Sequence, residues 1–186
     1  QGERVSGFPV EVAFDTPFKG SEILSDSGLL GFAGTIKMNG VEGTAIMAHL
    51  KGDNYGVVYR GKQAPGFSAQ TTFSEEIDHL FRLSDAGLGF MAKVDGGIEG
   101  IWLWDKSDLK LIVAEEQAVG NLFPGCAIIS TPLSPRLLDI NNAGEVLFLV
   151  NFDTQNASCP AGGLFSWKDG NYQAIAIDGD THQEMG

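Results

Sequence analysis

Carboxylates are the side chains of this sequence whose type and spacing first suggest chemistry. Glu75, Glu76 and Asp78 lie within four residues of one another. A glycoside hydrolase needs two carboxylates held roughly 5 to 10 Å apart. Adjacent side chains point in different directions, so we interpret this group as a solvated face. A glycan hydrolase is kept as the second alternative function.

Histidine and serine motifs give no stronger indication of catalysis. The three histidines, His49, His79 and His182, are isolated in sequence and form no His-x-x-His or Cys-His cluster typical of zinc sites. A Gly-x-Ser-x-Gly elbow, the mark of one class of serine hydrolase, is absent from the sequence. We therefore assign no catalytic residues, and the sequence favours a non-enzymatic protein.

One acidic segment near the end of the chain resembles a calcium site. Asp178, Asp180 and Glu184 place hard oxygen ligands at alternating positions, as Ca²⁺ prefers. The segment lacks the third ligand and the glycine of an EF-hand loop. Calcium is the one cofactor that the sequence suggests, and a chance acidic turn is the alternative.

The tryptophans are the best candidates for ligand contact. Trp102 and Trp104 alternate along the chain, so in a strand they share one face. Trp167 occupies the place equivalent to Trp104, 63 residues later. Two interpretations are open: a platform on which sugars stack, or the core of a repeated unit. Asp26, Asp85 and Asn142 recur at turn positions, which would suit a lectin with sites between repeats.

The elements that must position these residues repeat three times. Gly28, Gly87 and Gly144 each open an apolar run that contains a phenylalanine, at intervals of 59 and 57 residues. Further registers of proline, aromatic and β-branched residues recur at similar intervals. Self-similarity at such a period indicates stacked supersecondary units.

The runs are short, β-rich and bounded by Gly, Asp, Asn or Pro, which predicts strands and turns. The fold class is therefore all-β, with three repeats of about 57 residues built as propeller-like blades; a β-trefoil or β-prism with internal threefold symmetry is the alternative. Helical spacing of apolar residues predicts one short helix over residues 73–83. The expected divisions are an N-terminal closing or donor strand segment and repeats 1 to 3: 1–24, 25–82, 83–138 and 139–186.

The stretch Asn141–Phe148 resembles the Asn-x-x-Gly-x-x-x-Phe signature of bacterial secreted tandem-repeat proteins. Gly100-Ile101-Trp102 is similar to the Gly-Ile-Trp-type run that follows this signature in the family. The resemblance implies β-propeller repeats and an extracellular or cell-surface location. It implies no catalytic residues.

The ends of the chain do not coincide with the repeat boundaries, because residues 5–24 align with 119–140. This offset predicts that the N-terminal strand either closes its own ring or completes the third unit of a neighbouring subunit. Phe8, Val10, Val12 and Phe14 have the period-two spacing of one buried strand face. We therefore expect self-association by strand exchange, giving a ring or a filament.

Bulk composition limits the partners and suggests the compartment. The formal net charge of −12 disfavours nucleic acid, and no apolar stretch is long enough to span a membrane. The chain opens on Gln1 rather than Met, which we interpret as a processed, secreted or cell-surface protein. Cys126 and Cys159 would then form a disulfide, with two buried free thiols as the alternative.

Overall fold

The computed structural model describes residues 6, 8, 12–17, 22–120, 122–129, 131, 135–155 and 158–178; of residues 12–17 and of residue 79 only the backbone is described. Within these ranges the chain is all-β, with thirteen strands in three antiparallel sheets and no helix. It follows that no helix in the described residues is long and apolar enough to cross a bilayer.

Sheet 1 has the strand order β1-β3-β4-β5. The short strand β2 also pairs with β3, at the start of β3, while β1 pairs with the later part of that strand. β1 and β2 together therefore occupy the position that a single strand holds in the other sheets. The bounds are β1 Val12–Pro17, β2 Ile23–Leu24, β3 Leu30–Met38, β4 Val41–Leu50 and β5 Asp53–Tyr59.

Sheets 2 and 3 are four-stranded meanders in which consecutive strands are neighbours. Sheet 2 contains β6 Phe73–Ser84, β7 Gly87–Val94, β8 Glu99–Trp104 and β9 Leu109–Ala114. Sheet 3 contains β10 Arg136–Ile140, β11 Val146–Asn151, β12 Gly162–Lys168 and β13 Asn171–Ile177. Four antiparallel strands in this order are the unit from which propeller blades are built.

Tight turns join the hairpins where the sequence predicts them. Asn39-Gly40 connects β3 to β4 with φ angles of 52° and 81°, and Asp169-Gly170 connects β12 to β13 with φ angles of 49° and 85°. Two consecutive positive φ angles match the right-handed twist of a two-residue hairpin, and Asn, Asp and Gly tolerate them best.

The helix predicted over residues 73–83 is wrong, because these residues form β6. Register shifts interrupt the pairing of β6 with β7 between Phe73 and Ile77 and again between Ile77 and Phe81. These irregularities bring a buried side chain to the same face every fourth residue, which imitates the helical period. Leu80, which completed the helical pattern, is 61% exposed.

The three sheets pack in sequence, each through its first strand. β6 packs on β4 and β5 of sheet 1, and β10 packs on β6 and β7 of sheet 2. One hydrophobic core lies between sheets 1 and 2 and a second between sheets 2 and 3. In the described residues no sheet closes into a barrel and the three sheets form no closed ring.

The sheets are offset from the sequence repeats. Each repeat begins at the glycine turn that precedes the second strand of a sheet, so the last strand of one repeat pairs in the next sheet. Residues 25–82, for example, include β3, β4 and β5 of sheet 1 but also most of β6, which belongs to sheet 2. The N-terminal strand β1 is expected from the sequence to close a ring or to complete a third unit, but it lies in sheet 1, paired with β3 of the same chain, and sheet 3 has four strands without it.

Candidate assembly site on the first sheet

The phenylalanine that recurs after each glycine turn faces the preceding sheet in sheets 2 and 3. Phe90 of sheet 2 lies in the core shared with sheet 1, and Phe148 of sheet 3 lies in the core shared with sheet 2. Phe32 of sheet 1 has no preceding sheet. It packs instead in a third, smaller cluster on the outer face of sheet 1, around Ile36, Met47 and other buried residues.

Ser6 and Phe8 of the N-terminal segment lie at the β5 edge, next to this outer face. Ser6 forms a parallel bridge with Tyr55 on the β5 edge, where its N–H donates to Asn54 O at 2.9 Å and its carbonyl accepts from Gly56 N–H at 2.8 Å. Phe8 then stacks on Tyr59, with ring centroids 4.4 Å apart. The segment thus adds to the β5 edge by main-chain hydrogen bonds and one aromatic anchor, as in β-augmentation.

The same segment continues to the opposite edge of sheet 1. Val12 of β1 lies opposite Met38, and Phe14 lies opposite Ile36, in the ladder with β3. Of the predicted assembly residues, Phe8, Val12 and Phe14 are therefore brought to sheet 1, while Val10 lies outside the described residues. Every contact described for the segment is made with sheet 1.

A half-buried lysine holds the β5 side of the site. β5 has one extra residue, Val57, between the positions that pair with Met47 and Ile46 of β4. The Lys62 ammonium donates to the carbonyls of Gly56 and Val57, at 2.9 and 2.7 Å, and lies 5.7 Å from the Tyr59 ring centroid. Burial lowers the pKa of Lys62 to about 8.

The predicted sugar platform lies in the cores. Trp102 is fully buried between sheets 1 and 2, where its Nε1–H donates to Pro65 O at 3.2 Å. Trp104 and Trp167 are 6% and 5% exposed. Rings buried to this extent present no face to a sugar, so the placement matches the core packing that the sequence left as the alternative.

The recurring turn residues join neighbouring sheets. Ser27 N–H in the first turn donates to Asp85 Oδ1 at 2.8 Å, and Asp85 N–H in the second turn donates to Asn142 Oδ1 at 3.0 Å. Asp26 occupies the same position in the first turn and is exposed. The side chains of Asp85 and Asn142 thus each link their own turn to the preceding turn.

A cavity of about 410 Å³ lies between sheets 2 and 3. Its lining includes the carboxylates of Asp78 and Glu99 and the guanidinium groups of Arg82 and Arg136. Arg82 Nε–H donates to Leu138 O at 2.7 Å, which links the two sheets. Burial, with the nearby charge of Glu115, raises the pKa of Glu99.

The remaining predicted residues do not converge. Glu75 and Glu76 bind Arg60 and Lys93 in separate exposed ion pairs, and the side chain of His79 is not described. Of the proposed calcium ligands only Asp178 lies in the described residues. Among those residues no three His, Cys, Asp or Glu side chains are grouped as a metal site.

The two cysteines form a disulfide. Cys126 and Cys159 are 33 residues apart, and the bond joins the loop before β10 to the loop before β12. Cys126 is buried in the core between sheets 2 and 3. The bond therefore ties the connection from sheet 2 to sheet 3 to the connection between β11 and β12 within sheet 3.

Sequence reasoning missed Gly56, Tyr59 and Lys62 as parts of a site. A glycine inside a strand often marks a close approach by another segment, and Gly56 lies within the run Asp53–Tyr59. That signal alone does not name the segment that approaches. Lys62 follows the strand in a turn and carries no motif.

The comparisons with known proteins identify a family for the chain and no individual relative. No curated protein and no solved structure matches the chain. One family model, described as a family of unknown function, matches residues 2–186. Because this match spans nearly the whole chain, the protein belongs to the family of unknown function DUF7453.

Proposed function

We propose that this protein is an extracellular, non-enzymatic structural module whose subunits join by exchanging their N-terminal strand. The resemblance to secreted bacterial tandem-repeat proteins and the disulfide support export. A surface or filament subunit is the role that such a module would have. The observation that carries the proposal is the docking of the N-terminal segment on both edges of sheet 1.

Exchange is supported by how this segment is held. The contacts of its described residues lie in sheet 1, on β5 through Ser6 and on β3 through β1. A site that is complete within one sheet accepts the same segment from an identical neighbour with the same contacts.

An unfilled site would be a liability, which favours a permanent occupant. Removing the segment would expose the β3 and β5 edges together with Phe32, Met38 and Tyr59 of the outer cluster. Exposed edges and apolar faces promote uncontrolled association. Whether in its own sheet or in a neighbour, the segment therefore has to be docked.

Mass in solution tests the proposal. Light scattering on the full chain and on a chain lacking residues 1–18, with electron micrographs of both, measures the assembly directly. We expect the full chain to form dimers or filaments of defined mass, and the truncated chain to lose them, leaving monomers or irregular aggregates. A full chain that stays at 19.8 kDa at every concentration would contradict strand exchange.

The cavity between sheets 2 and 3 favours carbohydrate binding as a second candidate function. Carboxylates accept hydrogen bonds from sugar hydroxyls, and guanidinium groups donate to them, so Glu99 and Arg136 on one cavity suit a polyhydroxyl ligand. Glycan-array binding that is lost in Glu99→Gln and kept in Glu42→Gln would support this function. Equal signals for both variants would count against it.

A further inference from the structure

The β5 edge has a notch at Gly56 that fits an aromatic ring. A Cβ atom added at Gly56 would lie 2.4 Å from Phe8 Cε2 and 2.9 Å from Phe8 Cζ, closer than side chains tolerate. The backbone of Gly56 is not in the left-handed region, so the conformation itself does not require glycine. The missing side chain is therefore explained by the ring that lies over it.

Three other features place the ring in this notch. The hydrogen bond from Gly56 N–H to Ser6 O, at 2.8 Å, fixes the register of the segment, so that Phe8 follows two residues later on the same face. Tyr59 stacks on the Phe8 ring, with centroids 4.4 Å apart. Lys62 holds the carbonyls of Gly56 and Val57 in the bulged conformation of β5.

We propose that the β5 edge is a selective docking groove for an extended segment that carries an aromatic residue two positions after the residue paired with the strand. The occupant in the assembly is Ser6–Phe8 of a second copy of this chain. This inference rests on the proposed function and specifies its recognition. The Gly56 notch selects the aromatic anchor, and the main-chain bonds set its position.

Hydrogen exchange of the residue 56 amide in the full chain tests the groove, because that amide donates to the docked segment from either copy. Gly56→Ala should raise its exchange rate at least tenfold, as should Phe8→Ala. Gly43→Ala is the matched control, since a Cβ there would meet nothing within 4 Å. The double variant should exchange no faster than Phe8→Ala alone, because both changes remove the same contact.

A mixture of the two single variants then tests the second copy. The Phe8→Ala chain keeps an intact groove but lacks the anchor, and the Gly56→Ala chain keeps the anchor but has a blocked groove. Adding unlabelled Gly56→Ala chain to ¹⁵N-labelled Phe8→Ala chain should restore slow exchange at Gly56 of the labelled chain. Restoration supports docking between copies.

The outcomes separate the two proposals. If Gly56→Ala exchanges like wild type and like Gly43→Ala, the notch does not select the ring and the groove is overturned, even if the full chain still forms dimers. If the single variants behave as expected but the mixture restores no protection, the second copy is overturned as the occupant, and strand exchange is overturned with it.

Discussion

The backbone N–H of Ser27 donates a hydrogen bond to the carboxylate of Asp85, at 2.8 Å and across 58 residues of sequence. Asp85, in the glycine turn of the second sheet, thereby links to the glycine turn of the first sheet. Asn142 repeats the contact one sheet further on, with Asp85 N–H as the donor. The repeated turn sequence thus encodes a link between sheets as well as a turn.

Replacing Asp85 with alanine should lower the melting temperature, because Ser27 N–H loses its partner. Asp26→Ala is the matched control, since it removes the same side chain from the equivalent position in the first turn. Calorimetry of both variants measures the difference. Equal melting temperatures for the two would show that the turn link does not stabilise the fold.

Acid should also weaken this link. The hydrogen bonds from Ser27, backbone first and then side chain, with one from Ser25, lower the pKa of Asp85 below its ordinary value of 3.8. A carboxylate with a lowered folded-state pKa stabilises the protein above the unfolded pKa, and this contribution is lost as the pH falls through the folded pKa. The wild-type chain should therefore lose more stability below pH 3.8 than Asp85→Asn does in denaturant titrations. Parallel curves for the two proteins would contradict this.

Lys62 should make the protein more stable at mildly alkaline pH. Burial lowers its pKa from 10.5 to about 8 in the folded chain, so between these values the unfolded chain binds more protons. The free energy of unfolding then rises with pH, by about 1–2 kcal/mol between pH 8 and 9.5. Lys62→Met should flatten this rise in urea titrations. A rise that persists unchanged in the variant would assign it to another group.

Three glycine-to-alanine changes should lower stability by different amounts, according to how close the nearest side chain lies to each glycine. A Cβ at Gly31 would lie 2.6 Å from Phe81 Cε2 of sheet 2, and one at Gly89 would lie 3.3 Å from Leu137 Cδ2 of sheet 3. Overpacking of this kind costs about 1–3 kcal/mol. We expect Gly31→Ala to be the most destabilising in chemical denaturation, then Gly89→Ala, and Gly43→Ala to have the least effect. A different order would mean that the sheets shift more easily than this packing implies.

Reduction of the disulfide should destabilise the protein. By the chain-entropy estimate, cross-linking two residues that are 33 apart stabilises the fold by about 3–4 kcal/mol. The Cys126→Ser/Cys159→Ser double variant should unfold at correspondingly lower urea, with or without reductant. If the wild-type chain shows the same midpoint in both conditions, the bond contributes nothing to stability.

Most of the fold follows from local patterns in the sequence. The β-rich runs and the Asn-Gly and Asp-Gly turns predict the hairpins, since both signals act over a few residues. β6 is the exception, because its register shifts give a strand the apolar period of a helix. Bulges depend on pairing with β7, and no local pattern specifies them.

The candidate site was predictable only in part. Alternation from Phe8 to Phe14 predicts a strand; β1 covers Val12 and Phe14, while Phe8 lies outside it and Val10 lies outside the described residues. The groove that receives Phe8 is formed by Gly56 and Tyr59, about 50 residues away, through a parallel bridge. Such a contact is set by the path of the whole first sheet, which single-residue patterns do not contain.

The offset between repeats and sheets determines which deletions and insertions of whole repeats leave every sheet complete. Removing the chain from Gly28 to Ala86 would join the first strand position of sheet 1 directly to β7, β8 and β9. The product would still be a full four-stranded sheet with its own glycine turn. Recombination between repeats can therefore delete or insert a unit without leaving a broken sheet, so descendants with other repeat numbers are structurally accessible in one genetic step.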